Sequence, residues 1–151
     1  MTKSRSTARL GTAMLPVVLA VLTFAIAQVS EAGMQRFQWQ NRPVVVIAPG
    51  PDHPALRRQV EIARSHADGW RERHMVTIVV AGDAPVTVDG TRAKDLTNAD
   101  LRARYGVTGK AFAAILVGKD GTEKLRHDAA IPASKLFQTI DAMPMRRREM
   151  R

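Results

Sequence analysis

No cysteine occurs among the 151 residues, and that single absence removes several chemistries at once. The chain has no thiolate to attack a disulfide, no sulfur ligand for zinc and no pair able to cross-link the fold. Long apolar runs are few as well, and the one near the start reads as a cleaved signal peptide or, alternatively, an uncleaved anchor. The extended apolar stretch Met14–Ala27 has 14 residues and includes Pro16, short of the ~20 a spanning helix needs. His53, His66, His74 and His127 are scattered, whereas a bound metal ion needs three or four ligands together. The phosphate-cradling pattern Gly-x-x-x-x-Gly-Lys-Ser/Thr does not occur, and there is no internal repeat or low-complexity linker. These absences predict neither a metal site nor a cofactor.

What is present is a globular composition, 45% hydrophobic and 25% charged, with length for one domain of ordinary size. The formal net charge is +9. Part of it lies in a leader: Lys3, Arg5 and Arg9 precede the apolar run, and Ala25-Ile26-Ala27 has the small-x-small form of a cleavage site. A second such site ends at Ala32. The expectation is a signal peptide over residues 1–27, or as far as 32, and a single domain over 28–151. Removing 27 residues with three basic groups from 151 residues at +9 leaves 124 residues at +6. Export, to a periplasm or beyond the cell, is the implied destination. A domain of ~120 residues buries roughly two-thirds of its unfolded surface and can dispense with disulfides there.

Along the mature chain, Phe37-Gln38-Trp39 reads as a short strand or arm, with Trp39 and Trp70 assigned to the core. Val44–Ala48 and Met75–Val80 are apolar without alternation, the pattern of strands covered on both faces. Between them, Leu56, Val60, Ala63, Ala67 and Trp70 form one helical stripe, so the unit is βαβ and its strands are parallel. Residues 84–96 are polar and turn-rich around Asp89-Gly90, and read as an irregular insertion with one short hairpin. Thr97-Asn98-Ala99-Asp100 opens a short helix that Gly106 ends. Phe112–Val117 is a third, central strand. The Lys119-Asp120-Gly121 turn leads to a fourth, Thr122–Arg126, whose charges suit an exposed edge. Leu136, Phe137, Ile140 and Met143 are the buried stripe of a last helix, which Pro144 stops. A basic tail, residues 145–151, follows.

Three groups of residues carry chemistry worth weighing. Asp52-His53 follows the first core strand at its carboxyl end, where open α/β sheets bind ligands. The pair could work as acid and base, with Lys119 as a basic partner, or be a polar loop beginning a helix. Lys119 also belongs to the hairpin turn. Arg146, Arg147, Arg148 and Arg151 could bind an anionic surface or acidic partner. Alternatively they answer the helix C-terminus and pair with Asp141 and Glu149.

The order βαβ, helix, ββ, helix is that of the thioredoxin fold, and the expected architecture is α/β, thioredoxin-like, with a mixed four-stranded central sheet flanked by helices. His53-Pro54-Ala55-Leu56 stands where thioredoxins carry Cys-x-x-Cys, and Ala111 where they carry a cis-proline. The fold is implied without the redox activity. Phe37-Gln38-Trp39, Arg42-Pro43, Gly118-Lys119-Asp120-Gly121 and Asp141-Ala142-Met143-Pro144-Met145-Arg146 more closely resemble an uncharacterised thioredoxin-like family, the domain of unknown function 4174 family. It comprises small exported bacterial proteins, and a similar domain occurs in sushi-repeat proteins of the vertebrate extracellular matrix. The resemblance, over residues 34–149, implies fold and an extracytoplasmic setting but no catalytic residue. The expected function is a thiol-free binding module for a protein or an anionic envelope surface, with nucleic acid not expected. Two alternatives stay open: a non-redox enzyme using the Asp52/His53 loop, and a substrate-docking accessory to another chain's redox chemistry.

Overall fold

The structure is a computed structural model that describes residues 33–151; the expected signal peptide and both expected cleavage sites lie outside the described residues. The first half runs β1 (Arg42–Ala48), α1 (Pro54–Ser65), α2 (Ala67–Glu72), β2 (Met75–Ala81), β3 (Thr87–Val88) and β4 (Thr91–Arg92). The second runs α3 (Asn98–Tyr105), β5 (Ala113–Val117), β6 (Glu123–His127), α4 (Ala133–Asp141) and α5 (Pro144–Glu149).

One mixed sheet organises these elements, in the order β4-β3-β2-β1-β5-β6. β1 and β2 are parallel, Val45 opposite Ile78, as a βαβ crossover demands. β5 runs antiparallel to β1, with Val44 opposite Leu116, and β6 antiparallel to β5. The fold is therefore α/β with six strands, not four. The two extra strands come from the insertion at 84–96: β3 pairs with β2, and β4 turns back on β3 across Asp89-Gly90. Each extra strand is two residues long, too short to show a period-two pattern.

Alternation along the strands divides the interior into two cores. Val45, Ile47, Ile78, Val80, Ile115 and Val117 face α3 with Leu101 and Tyr105. Val44, Val46, Ala48, Ala114 and Leu116 face α1, α2 and α4, meeting Leu56, Ile62, Trp70, Leu136 and Ile140. β1 is buried at every position. β6 is the exposed edge, with Glu123, Lys124 and Arg126 at the surface.

Helix ends follow the local chemistry. The Thr97 hydroxyl accepts the Asp100 N–H at 3.2 Å, and Gly106 closes α3 in the left-handed region at φ +62°. The helix expected over 56–70 breaks at His66, whose backbone (φ −121°, ψ 32°) is not helical. Beyond the break, Gly69 lies against the Phe137 ring, where a Cβ would stand 2.5 Å from Cζ. Gln59, beside Leu56 and Ala63 on the inward flank of that stripe, is wholly buried. Its amide donates to the Ile131 carbonyl at 3.2 Å and accepts the Ile131 N–H at 2.7 Å, closing two backbone groups that no strand or helix serves.

Two expectations about the ends of the domain need correction. Residues 33–40 are helical and turn backbone, not a strand. Trp39 sits at φ +66°, donates its N–H to the Lys119 carbonyl at 2.6 Å, and leaves its ring 62% exposed; only Trp70 is core. At the other end α4 does stop before Pro144, but Pro144 then opens α5. A proline at the first helical position lacks only an N–H that would have no partner there. The tail is thus a helix packed on the domain through the buried Arg146.

Candidate functional site

Beyond α1 the sheet continues through β2 and β3, and between helices and strands lies a groove of about 960 Å³. Its strand wall follows from the alternation of β2: Met75, Thr77, Val79 and Ala81 share the face toward α1 and α2. Its helix wall is Val60, Ala63 and Ala67 with the Trp70 ring at depth. The Trp70 indole N–H is satisfied by the Thr77 hydroxyl at 3.2 Å, so this wall presents carbon to the groove. Val79, expected under full cover, is only half-buried because the groove runs over it.

Charges stand on the rim. Arg57, Arg64 and Arg71 recur every seven residues along α1 and α2, roughly two helical turns apart. Arg57 and Arg71 have exposed carboxylate neighbours, Asp52 at 3.6 Å and Asp68 respectively. The rim carboxylates Glu61 and Asp89 are occupied, Glu61 by the Ser65 hydroxyl at 3.1 Å and Asp89 by the Thr77 N–H at 2.7 Å.

The Asp52/His53 loop lies where expected, after β1. The Asp52 carboxylate faces Arg57, and the His53 ring stacks on Phe112 with centroids 5.2 Å apart and planes 6° from parallel. His53 Nδ1 is buried without a partner. Lys119 is not brought to this pair. It follows β5, antiparallel to β1, and so lies at the opposite end of the strand, ~20 Å away for seven residues at ~3.3 Å each.

At that opposite end Lys119 joins a dense ion cluster. Its ammonium donates to Glu149 at 2.6 Å and to His74 Nδ1 at 2.7 Å. Arg42, wholly buried, grips the same Glu149 carboxylate with both terminal nitrogens at 3.1 Å and donates to the Arg73 carbonyl at 2.9 Å. Arg73 in turn holds Asp141 at 2.7 and 3.0 Å. Arg146, 4% exposed, bonds Asp141 at 3.2 Å, the Glu72 carbonyl at 3.1 Å and the Glu72 carboxylate.

The cluster sets the titration of its acids. Burial alone would raise the Glu149 carboxyl, but hydrogen bonds from Arg42 and Lys119 outweigh it and hold the group at about 2. The hydrogen bond from Arg73 likewise lowers Asp141. Of the four tail arginines, Arg146 thus points inward, while Arg147, Arg148 and Arg151 are exposed. Among the described residues no group of three or more His, Asp or Glu side chains stands where it could hold a metal ion, and no helix is long and apolar enough to cross a membrane.

Sequence reasoning named Lys119, Arg146, Asp141 and Glu149 but missed Arg42, Arg73 and Glu72 as their partners. The available signal was Arg42 itself, a charge directly before an unbroken apolar strand, which burial obliges to find a counter-charge. The groove had no comparable signal, because its two walls read from the sequence as surfaces packed on each other and not as surfaces held apart.

Relatives share the domain more than the whole protein. Sushi repeat-containing protein SRPX of Rattus norvegicus is 27% identical over 120 residues, covering 78% of this chain and 26% of the rat protein. Coiled-coil domain-containing protein 80 of Danio rerio is 26% identical over 133 residues, covering 78% of this chain and 15% of its own length. Sushi repeat-containing protein SRPX2 of Homo sapiens is 24% identical over 130 residues, covering 83% and 28%. The chain therefore spans about a quarter or less of the length of these relatives. No solved structure matches. A family model matches residues 33–149, taking in the groove and the ion cluster together, and the chain belongs to that family, a domain of unknown function (DUF4174).

Proposed function

We propose that the chain is an exported, thiol-free binding module of thioredoxin-like build whose working surface is the groove beside α1 and α2. One observation carries this: the groove of about 960 Å³ is walled by apolar side chains, at the upper end of the ~300–1,000 Å³ that ligand sites occupy. The ionisable groups suited to chemistry are instead far apart, as Asp52 and Lys119 are, or paired with one another in the ion cluster. The strand order β2-β1-β5-β6, parallel then antiparallel, supports the thioredoxin-like build. The basic start and short apolar run support export. The partner is a protein or an anionic envelope surface, and for the latter Arg147, Arg148 and Arg151 offer three outward cations.

Binding of Nile red, a neutral apolar dye, to the purified protein tests the groove. Emission should rise on mixing, and Ala63→Trp, which fills the helix wall, should abolish the rise without moving the melting temperature. Dye binding that survives Ala63→Trp in a folded protein would reject the groove as the binding surface.

A further inference from the structure

We infer that the groove takes a single-chain amphiphile with an anionic head: its acyl chain lies between α1 and β2, and its head meets Arg64. The inference rests on the groove reading above and adds the chemistry of the occupant. Val60, Ala63, Val79 and Trp70 offer carbon along the length of the groove, which suits a methylene chain because apolar burial is non-directional. A polar ligand would leave most of its donors and acceptors facing carbon along Val60, Ala63, Val79 and Trp70, at a cost in free energy.

The head is assigned by charge. Arg64 stands in the last turn of α1, exposed on the rim, and among the described residues it makes no hydrogen bond or ion pair. The acids beside it are already engaged: Glu61 accepts from Ser65, and Asp89 from the Thr77 N–H. Of its neighbours one spacing away, Arg57 donates to the Asp52 carbonyl at 2.8 and 3.2 Å and faces its carboxylate, while Arg71 pairs with the exposed Asp68. Exposed pairs of this kind exchange partners at little cost. Arg57 and Arg71 are each balanced by an acid, so Arg64 is the rim cation left to attract a carboxylate or phosphate. The arrangement thus places a single apolar chain under a single anionic group.

The test uses the Trp39→Phe protein, in which Trp70, in the groove wall, is the sole tryptophan and reports occupancy through its emission. Decanoate, laurate and myristate are titrated below their critical micelle concentrations, with dodecanol as the neutral control and lauroyl lysophosphatidylglycerol as the phosphate arm. Affinity should rise by up to ~4-fold per added methylene, laurate should bind more tightly than dodecanol, and Arg64→Gln should weaken laurate roughly 3- to 10-fold while Nile red binding is unchanged. Whichever of laurate and the lysolipid binds more tightly assigns the head to carboxylate or phosphate. Laurate no tighter than dodecanol, or indifferent to Arg64→Gln, overturns the inference. So does Nile red displaced by an acidic amphipathic peptide and not by laurate, which would assign the groove to a protein. Nile red binding without any amphiphile binding overturns the inference and leaves the groove reading standing; binding of neither overturns both.

Discussion

Replacing Glu149 by glutamine keeps the shape of the side chain and removes the charge that answers two buried cations. Arg42 has 1% of its side chain exposed and Lys119 8%, against 21% for Glu149. Breaking a fully buried pair costs about 3–5 kcal/mol, because the surviving charge is left without compensation. The titration of Glu149 gives a second measure. Holding a carboxyl at about 2 when it would otherwise lie at 4.5 is worth ~3 kcal/mol at full strength, and solvent at the exposed part of the carboxylate reduces that to ~1–2 kcal/mol. The expected loss for Glu149→Gln at pH 7 is therefore about 1–3 kcal/mol. Its pH dependence has a definite sign. A carboxyl whose folded value is depressed stabilises the fold fully above its unfolded value and loses that contribution as pH falls toward the folded one. The gap between the wild type and Glu149→Gln should be constant above pH ~5 and close steadily between 4.5 and about 2. Urea unfolding of both proteins at pH 7, 4 and 2.5 measures it. A gap that is absent at pH 7, or unchanged at pH 2.5, would refute the claim that Glu149 is held ionised by Arg42 and Lys119.

The remaining predictions concern the tail and a buried amide. Arg146→Gln removes three side-chain contacts of a 4% exposed guanidinium and should cost ~2–3 kcal/mol. Arg147→Gln with Arg148→Gln should stay within ~0.5 kcal/mol; chemical denaturation that ranks them the other way would show α5 docked differently. Gln59→Leu fits the volume but strands the Ile131 N–H and carbonyl, for a loss of ~2–4 kcal/mol, and an unchanged urea midpoint would mean that those groups find other partners.

Much of the architecture was legible because it depends on local patterns. Val44–Ala48 without alternation marked a central strand, and Thr97 with Gly106 marked both ends of a helix. What escaped depended on partners distant in sequence. Gln59 reads as a polar helix position until Ile131, 72 residues on, needs its amide. Trp39 reads as core until its backbone is drawn into the left-handed region by a bond to Lys119. The candidate catalytic set Asp52, His53 and Lys119 looked plausible as a list of residue types, and only strand direction sends Lys119 to the far end of β1. The arginine tail divided in a way that composition does not reveal, since Arg146 and Arg147 differ only in the side of α5 on which they fall.

The bond between Arg42 and Glu149 spans 107 residues and so sets a clock on assembly. A chain made from its amino end presents Arg42 early, while the carboxylate that neutralises it arrives 107 residues later. Until then β1 carries a cation it cannot bury at acceptable cost, so its end of the sheet must wait for α5. Any chain cut short before residue 149 is denied that closure.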